Sequence, residues 1–261
     1  MITFLKLGGS VITDKSGDKA ARPRTIDRIA SEIAEHIQEL PSSRLLLGHG
    51  SGSFGHTVAA EHGTHLGAQS ERDWMGFAAV WHAARELNTM LVEALISHGL
   101  PAIAFPPSAS AISRDGKLIS MANEPIKRAL EVGLLPVVYG DVVFDQTRGS
   151  SIASTEEVFI QLAQSIKPGR LLLAGRAEGV YDVAGPEPEL LEEITPEIRK
   201  NLIFDSPDGE DVTGGMAAKV DLCLDLAKTD PELEILIFSA EQPGQLRNVL
   251  AGKREGTLVR V

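Results

Sequence analysis

The sequence predicts an α/β protein, a three-layer αβα sandwich with a mostly parallel central sheet. Three observations carry that prediction. Apolar runs of strand length alternate with amphipathic helical stretches along the whole chain. Runs such as Leu134–Tyr139 are apolar almost throughout, as strands covered on both faces are. Glycine follows the carboxyl end of one predicted strand after another, where open α/β sheets bind their ligands.

The elements follow in order. Ile2–Leu7 is the first strand. Thr25–Leu40 is a helix, with Ile26, Ile29, Ile33 and Ile37 at helical spacing. Arg44–Leu47 is a strand, followed by a glycine-rich loop from Gly48 to Gly55. Glu71 to His98 is a long helix carrying Trp74, Phe77, Trp81, Ala84, Leu87, Leu91 and Leu95, and Gly99 and Pro101 end it. Ala102–Phe105 is a strand. Asp115-Gly116 joins two short runs within Ser110–Ser120 as a hairpin. Glu124–Val132 is a helix closed by Gly133, and Leu134–Tyr139 a buried strand. The pattern then repeats: helix Glu156–Ile166, strand Arg170–Ala174, helix Gly214–Lys228, strand Glu234–Phe238, helix Gln242–Ala251 and strand Gly256–Val261. A lobe boundary is expected near Lys167-Pro168-Gly169, dividing residues 1–166 from 167–261 within one continuous sheet.

Composition narrows the partners. The chain has 261 residues, 25 Lys plus Arg against 36 Asp plus Glu, a formal net charge of −11, and 43% apolar residues. Such a field repels polyanions, so nucleic acid and anionic membrane are not expected partners. No apolar run approaches the roughly 20 residues of a membrane span, and no targeting segment is visible at the N-terminus. The single cysteine excludes an intrachain disulfide framework and fits a cytoplasmic setting. His56, His62 and His65 lack a carboxylate or cysteine at ligand spacing, so no metal site is expected there.

Two familiar motifs fail on inspection. Gly50-Ser51-Gly52-Ser53-Phe54-Gly55 matches the dinucleotide fingerprint, but no second strand ending in an acid follows at the required distance. Gly9 to Ser16 is one residue from a P-loop, and Asp14 stands where its second glycine belongs, a carboxylate where phosphate would lie. What remains is phosphate chemistry of another kind. Gly8-Gly9-Ser10, Gly48 to Gly55, Gly140-Asp141 and Gly175 bring backbone amides to one sheet edge. Lys6 lies inside an apolar strand, where a charge needs a partner. Lys15 stands beside a glycine turn as a phosphate-binding point charge. Lys219 is the third cationic candidate. His56 is placed to hydrogen-bond a phosphate held by loop amides, whereas His36, His82 and His98 fit structural roles on helix faces. Asp141 suits either a turn carboxylate or a site residue. Cys223 shares a helix with Val220, Leu224 and Ala227 as a small buried hydrophobe.

Leu5-Lys6-Leu7-Gly8-Gly9-Ser10, together with Asp211-Val212-Thr213-Gly214-Gly215-Met216 and Lys219, resembles the amino acid kinase superfamily. His49 to His56 and Tyr139-Gly140-Asp141-Val142-Val143 resemble its isopentenyl phosphate kinase branch, and the match runs in order from Lys6 to Val261. The resemblance implies an ATP-dependent, Mg²⁺-requiring transfer of phosphate to an isoprenyl monophosphate, in isoprenoid precursor synthesis by an alternative mevalonate route. It assigns Lys6 and Lys15 to the transferring group, with His56 as the third catalytic residue. Ser51, Gly55, His56, Gly140 and Asp141 fall on the acceptor side. Gly8, Gly9, Ser10, Gly52, Gly175, Gly179, Gly214 and Lys219, with Lys6, fall on the ATP side. A five-carbon tail needs an apolar pocket, for which Met75 and neighbours among Trp74, Phe77 and Trp81 are expected. A homodimer is implied as well. Two rival readings are a fosfomycin-type phosphonate kinase and a nucleotide-binding protein without turnover. The chain departs from the pattern at Ser154-Thr155-Glu156, usually Ser-Gly-Asp, and at Arg176, usually an acid.

Overall fold

The computed structural model describes residues 1–14, 17–185, 187–204 and 215–261. Its strands are β1 (Ile2–Leu7), β2 (Arg44–His49), β3 (Ala102–Ala104), β4 (Ile112–Arg114), β5 (Lys117–Ser120), β6 (Leu135–Tyr139), β7 (Asp141–Asp145), β8 (Gly149–Ala153), β9 (Arg170–Gly175), β10 (Tyr181–Asp182), β11 (Glu189–Leu190), β12 (Glu193–Ile194), β13 (Glu234–Ser239) and β14 (Thr257–Val259). Its helices are α1 (Gly9–Ile12), α2 (Pro23–Glu39), α3 (Gly52–His62), α4 (Glu71–Ser97), α5 (Glu124–Glu131), α6 (Thr155–Ile166), α7 (Pro196–Asn201), α8 (Gly215–Thr229) and α9 (Gln245–Leu250).

An eight-stranded sheet runs β12-β14-β13-β9-β1-β2-β6-β3, parallel at every step except β13 against β14. The chain runs from β1 to β2, lays β3 at the edge and then β6 between β2 and β3, and returns to lay β9 and β13 on the other side of β1. That reversal puts a topological switch point at the carboxyl end of β1, the crevice where such sheets bind ligands. β9, beyond the expected lobe boundary, pairs directly with β1.

Strand alternation decides which helix each residue meets. Phe4, Leu46, Val138, Leu171 and Leu173 face one core, filled by Val158, Phe159 and Leu162 of α6 and Val220, Cys223 and Leu224 of α8. Leu5, Leu7, Leu45, Leu47, Val137 and Leu172 face the other, filled by α2, α4 and α9. By the same alternation Lys6 turns toward α6 and α8, and His49 toward α4.

Local signals set the helix starts. Ser70 and Asp73 form a capping box at α4, and Ser154 and Glu157 another at α6. A smaller sheet, β5-β4-β7-β8, stands beyond Gly140. The hairpin at Asp115-Gly116 is present, both residues having positive φ as a type I′ turn demands. The β7–β8 hairpin and the short pieces β10, β11, β12 and α7 are additions to the sequence expectation. The loop expected from Gly48 to Gly55 is shorter than read: β2 continues through His49, and α3 starts at Gly52. Among the described residues no helix is long and apolar enough to cross a membrane.

Candidate active site

The site begins with Lys6. It is buried on β1, in register with Gly48 of β2 and Leu173 of β9. Its Nζ pairs with Glu156 in the first turn of α6, the two side chains being 10% and 15% exposed. Here is the partner the strand lysine required, one methylene longer than the usual aspartate. Burial opposes ionisation of Glu156, yet Lys6 and Lys219 outweigh it and hold the carboxyl below its usual range. Both cations thus act on the Glu156 carboxylate at the switch point.

Glycine makes this approach of α6 possible. A Cβ on Gly48 would meet Thr155 Cγ2 at 2.6 Å and the Phe159 ring at 2.7 Å. With no side chain in the way, Thr155 donates its hydroxyl to the His49 carbonyl at 2.7 Å.

The first two glycine loops touch backbone to backbone. A Cβ on Gly9 would lie 2.5 Å from the Gly52 nitrogen, and one on Gly50 2.9 Å from the Gly9 nitrogen. Gly52 has a φ of +51°, a conformation open to glycine. Thr13 ties the loops together: its hydroxyl donates to the Gly9 carbonyl at 2.8 Å and accepts from Ser53 N–H at 3.1 Å. Gly8 N–H donates to the Ala174 carbonyl of β9 at 2.8 Å, and Ser10 follows in α1.

Ser51 caps α3, Gly55 is buried in its first turn, and His56 stands exposed on it one turn in. Ala59, three residues on, is buried against Val80 and Val142, with Phe77, Trp81 and Ile152 beside them. One helix thus carries both the candidate phosphate ligand and a wall of an apolar cluster. Met75 lies outside this cluster, 66% exposed one turn into α4. Trp74 and Phe77 pack with Phe144 of β7, at 6.0 and 5.1 Å between ring centroids. Phe144 was not among the expected residues, because the β7 strand itself was not.

Gly140 follows β6, and its N–H donates to the His49 carbonyl at 3.1 Å. Asp141 is buried and accepts N–H bonds from Ser108 at 3.1 Å and Val142 at 2.9 Å. Burial pushes its carboxyl up to about 6. Gly175 ends β9 and Gly179 packs against Thr257. Arg176 reaches Glu241 at 3.6 Å, and Arg22 meets the same carboxylate at 2.6 Å while donating to the Val11 carbonyl at 3.0 Å. This clamp binds the loops after β1, β9 and β13, and nothing local in sequence announces it. Lys219 lies in α8 near enough to act on Glu156. Lys15 and Gly214 lie outside the described residues.

The three histidines expected on helix faces have structural partners: His36 Nε2 bonds Ser43, His98 pairs with Asp27, and His82 stands 3.8 Å from Glu86. Cys223 is buried, its thiol pushed up to about 12. Among the described residues no three His, Cys, Asp or Glu side chains converge as a metal site.

Comparison with known proteins places this geometry. Residues 1–239 match the model of the amino acid kinase family. The chain is 36% identical over 260 residues to the isopentenyl phosphate kinase of Methanothermobacter thermautotrophicus, covering 96% of this chain and 95% of that one. It is 34% identical over 262 residues to the isopentenyl phosphate kinase of Haloferax volcanii, covering 99% and 98%. A solved isopentenyl phosphate kinase superposes with a TM-score of 0.84 at 32% identity, over 99% of this chain and 100% of that one. The product complex of the Thermoplasma acidophilum enzyme superposes at 0.78 and 26% identity, over 100% of both. The chain belongs to the amino acid kinase family, in its isopentenyl phosphate kinase branch.

Proposed function

We infer that this chain is a kinase that transfers the γ-phosphoryl group of ATP to isopentenyl phosphate, giving isopentenyl diphosphate and ADP. The observation that carries the inference is the Lys6–Glu156–Lys219 cluster beneath two touching glycine loops, in a chain similar over nearly its whole length to isopentenyl phosphate kinases.

The chemistry asks for little covalent help. A phosphate oxygen of the acceptor forms a bond to the γ-phosphorus in line, and the bond from that phosphorus to the bridging oxygen of ADP breaks. The acceptor is already anionic near neutral pH, so no general base is needed. The protein must neutralise charge and hold two anions together. In our reading Lys6 and Lys15 serve the transferring group and Lys219 the ATP phosphates. The amides of Gly9, Ser10 and Gly52 face phosphate oxygens; the Gly8 N–H is already bonded to the Ala174 carbonyl, so Gly8 shapes the loop instead, and Gly175, Gly179 and Gly214 lie on the nucleotide side. His56, beside Ser51 and Gly55, donates to the acceptor phosphate, and Gly140 and Asp141 close that side. Residues 1–166 then form the acceptor lobe and 167–261 the nucleotide lobe.

Mg²⁺ belongs to the same proposal. It would be held chiefly by phosphate oxygens and water, as Mg²⁺ in phosphoryl-transfer sites is. Bound there it would neutralise phosphate charge. The isoprenyl tail lies against Phe77, Val80, Trp81, Val142 and Ile152, with Met75 at the outer rim. A homodimer would cover Met90 and Ile96 of α4 and Ile103 of the edge strand β3, all exposed apolar residues. Isoprenoid precursor synthesis by the alternative mevalonate route, in the cytoplasm, completes the reading.

A coupled ADP-release assay across isopentenyl phosphate, dimethylallyl phosphate, longer isoprenyl phosphates and fosfomycin tests it. Isopentenyl phosphate should show the highest kcat/KM. Preference for fosfomycin, or ATP binding without transfer to any acceptor, would overturn it.

A further inference from the structure

His49 is fully buried at the end of β2, immediately before the glycine loop. Four elements meet on it. Its carbonyl accepts from Thr155 Oγ1 at 2.7 Å and from Gly140 N–H at 3.1 Å. Its ring stacks on Tyr139 of β6, centroids 5.4 Å apart and planes 19° from parallel. Ring Nδ1 lies 3.1 Å from the Gly50 carbonyl oxygen, and Nε2 lies 3.2 Å from the side-chain carbonyl oxygen Oδ1 of Asn88, which is buried on α4.

This geometry selects a tautomer. Burial lowers the ring's proton affinity, and Lys6 on β1, the charged group acting on it, adds to that. A neutral ring has one N–H and one lone pair. The Gly50 carbonyl can only accept, so the proton belongs on Nδ1. Asn88 can meet the Nε2 lone pair with its amide N–H by a half-turn of its terminal group. The ring then holds the Gly50 peptide, whose backbone packs on Gly9. Asn88 lies two helical turns from Trp81, on the helix that borders the apolar cluster.

We propose that Asn88 and His49 are a positioning pair, which fixes the Gly50 peptide and so aims the amides of the glycine loop, coupling α4 to the phosphate site. The proposal rests on the function inferred above. Asn88 touches no reacting atom in it. Its effect is on kcat through the loop, whereas a purely structural residue would lower stability alone.

Three variants test the pair, each checked for folding by its thermal melt. Asn88→Leu should lower kcat for isopentenyl phosphate at least about tenfold with the KM for ATP changed less than about twofold. Combining it with His49→Phe should do no more damage than the worse single change, since the two act as a unit. Asn88→Asp draws the ring proton to Nε2. At low pH both ring nitrogens are protonated and the loop is held; as pH rises Nδ1 turns a lone pair on the Gly50 carbonyl. Its kcat should therefore fall with rising pH along a limb absent from the wild-type profile. A folded Asn88→Leu protein within about twofold of wild-type kcat, penalties that multiply, or an Asn88→Asp profile identical to wild type would each overturn the proposal. Should Asn88→Leu not fold, Asn88→Asp decides alone. Wild-type enzyme inert toward isopentenyl phosphate would instead refute the underlying function, and ¹⁵N NMR of the His49 ring would still judge the pair: a proton on Nδ1 supports it, and one on Nε2 refutes it.

Discussion

Replacing Glu156 by Gln is the sharpest perturbation of the charge cluster. The change keeps the shape of the side chain and removes the carboxylate that Lys6 pairs with and Lys219 acts on. Lys6 and Glu156 are 10% and 15% exposed, so the lysine left behind has little water to replace its partner. Breaking a buried pair from one side costs about 3–5 kcal/mol, and the nearby charge of Lys219 adds repulsion. A loss of about 3 kcal/mol is therefore expected at neutral pH. The sign of its pH dependence follows from the depressed carboxyl. A group held below its ordinary value of 4.5 contributes its stability above that value and loses it as pH falls through the folded-state value. The wild-type advantage should thus be complete at neutral pH and shrink in acid. ATP should also stabilise Glu156→Gln more than wild type, because its phosphates supply the missing negative charge. Urea unfolding at neutral and acidic pH, with and without ATP, measures all of this. Equal stability at neutral pH, or a gap unchanged in acid, would refute the reasoning.

Other consequences follow from the same geometry. Gly9→Ala drives a methyl to 2.5 Å from the Gly52 nitrogen; the loops must part, and kcat should fall by about a hundredfold, as steady-state kinetics will show. Asp141 has its carboxyl raised from 3.8 to about 6, so its ionisation costs about 3 kcal/mol of stability at about 1.4 kcal/mol per unit. Wild-type stability relative to Asp141→Asn should therefore fall as pH rises from about 4 through 6; a gap independent of pH, measured by urea midpoints, contradicts this. Phe77→Ala opens the apolar cluster of Val80 and Val142 and should shift relative kcat/KM toward longer isoprenyl phosphates by about tenfold, or about 1.4 kcal/mol.

The sheet was legible because strands such as Leu135–Tyr139 and Arg170–Gly175 are long, apolar and punctuated by glycine. The β7–β8 hairpin was not: Ser150 and Ser151 interrupt its apolar pattern, although both are buried. The end of β2 was misjudged because Gly48 reads locally as loop. Its reason for being glycine is Thr155 and Phe159, distant in sequence and packed where a Cβ would be. Within the site, Lys6 announced its need for a partner, and Glu156 answers it. Asn88, Thr155 and Glu241 gave no such signal, since each is an ordinary residue on an ordinary helix or loop until the fold brings its partner to it. The net charge of −11 spoke against polyanionic partners while concealing Lys6 and Lys219 placed beside Glu156.

The central claim is that this site joins two phosphorylated ligands, with His56 holding the acceptor's phosphate. Steady-state kinetics of His56→Ala with ATP and isopentenyl phosphate address it most directly. Removing a donor of this kind should lower kcat/KM for isopentenyl phosphate by about a hundredfold or more, with ATP binding retained. Near wild-type turnover in that variant would contradict the account.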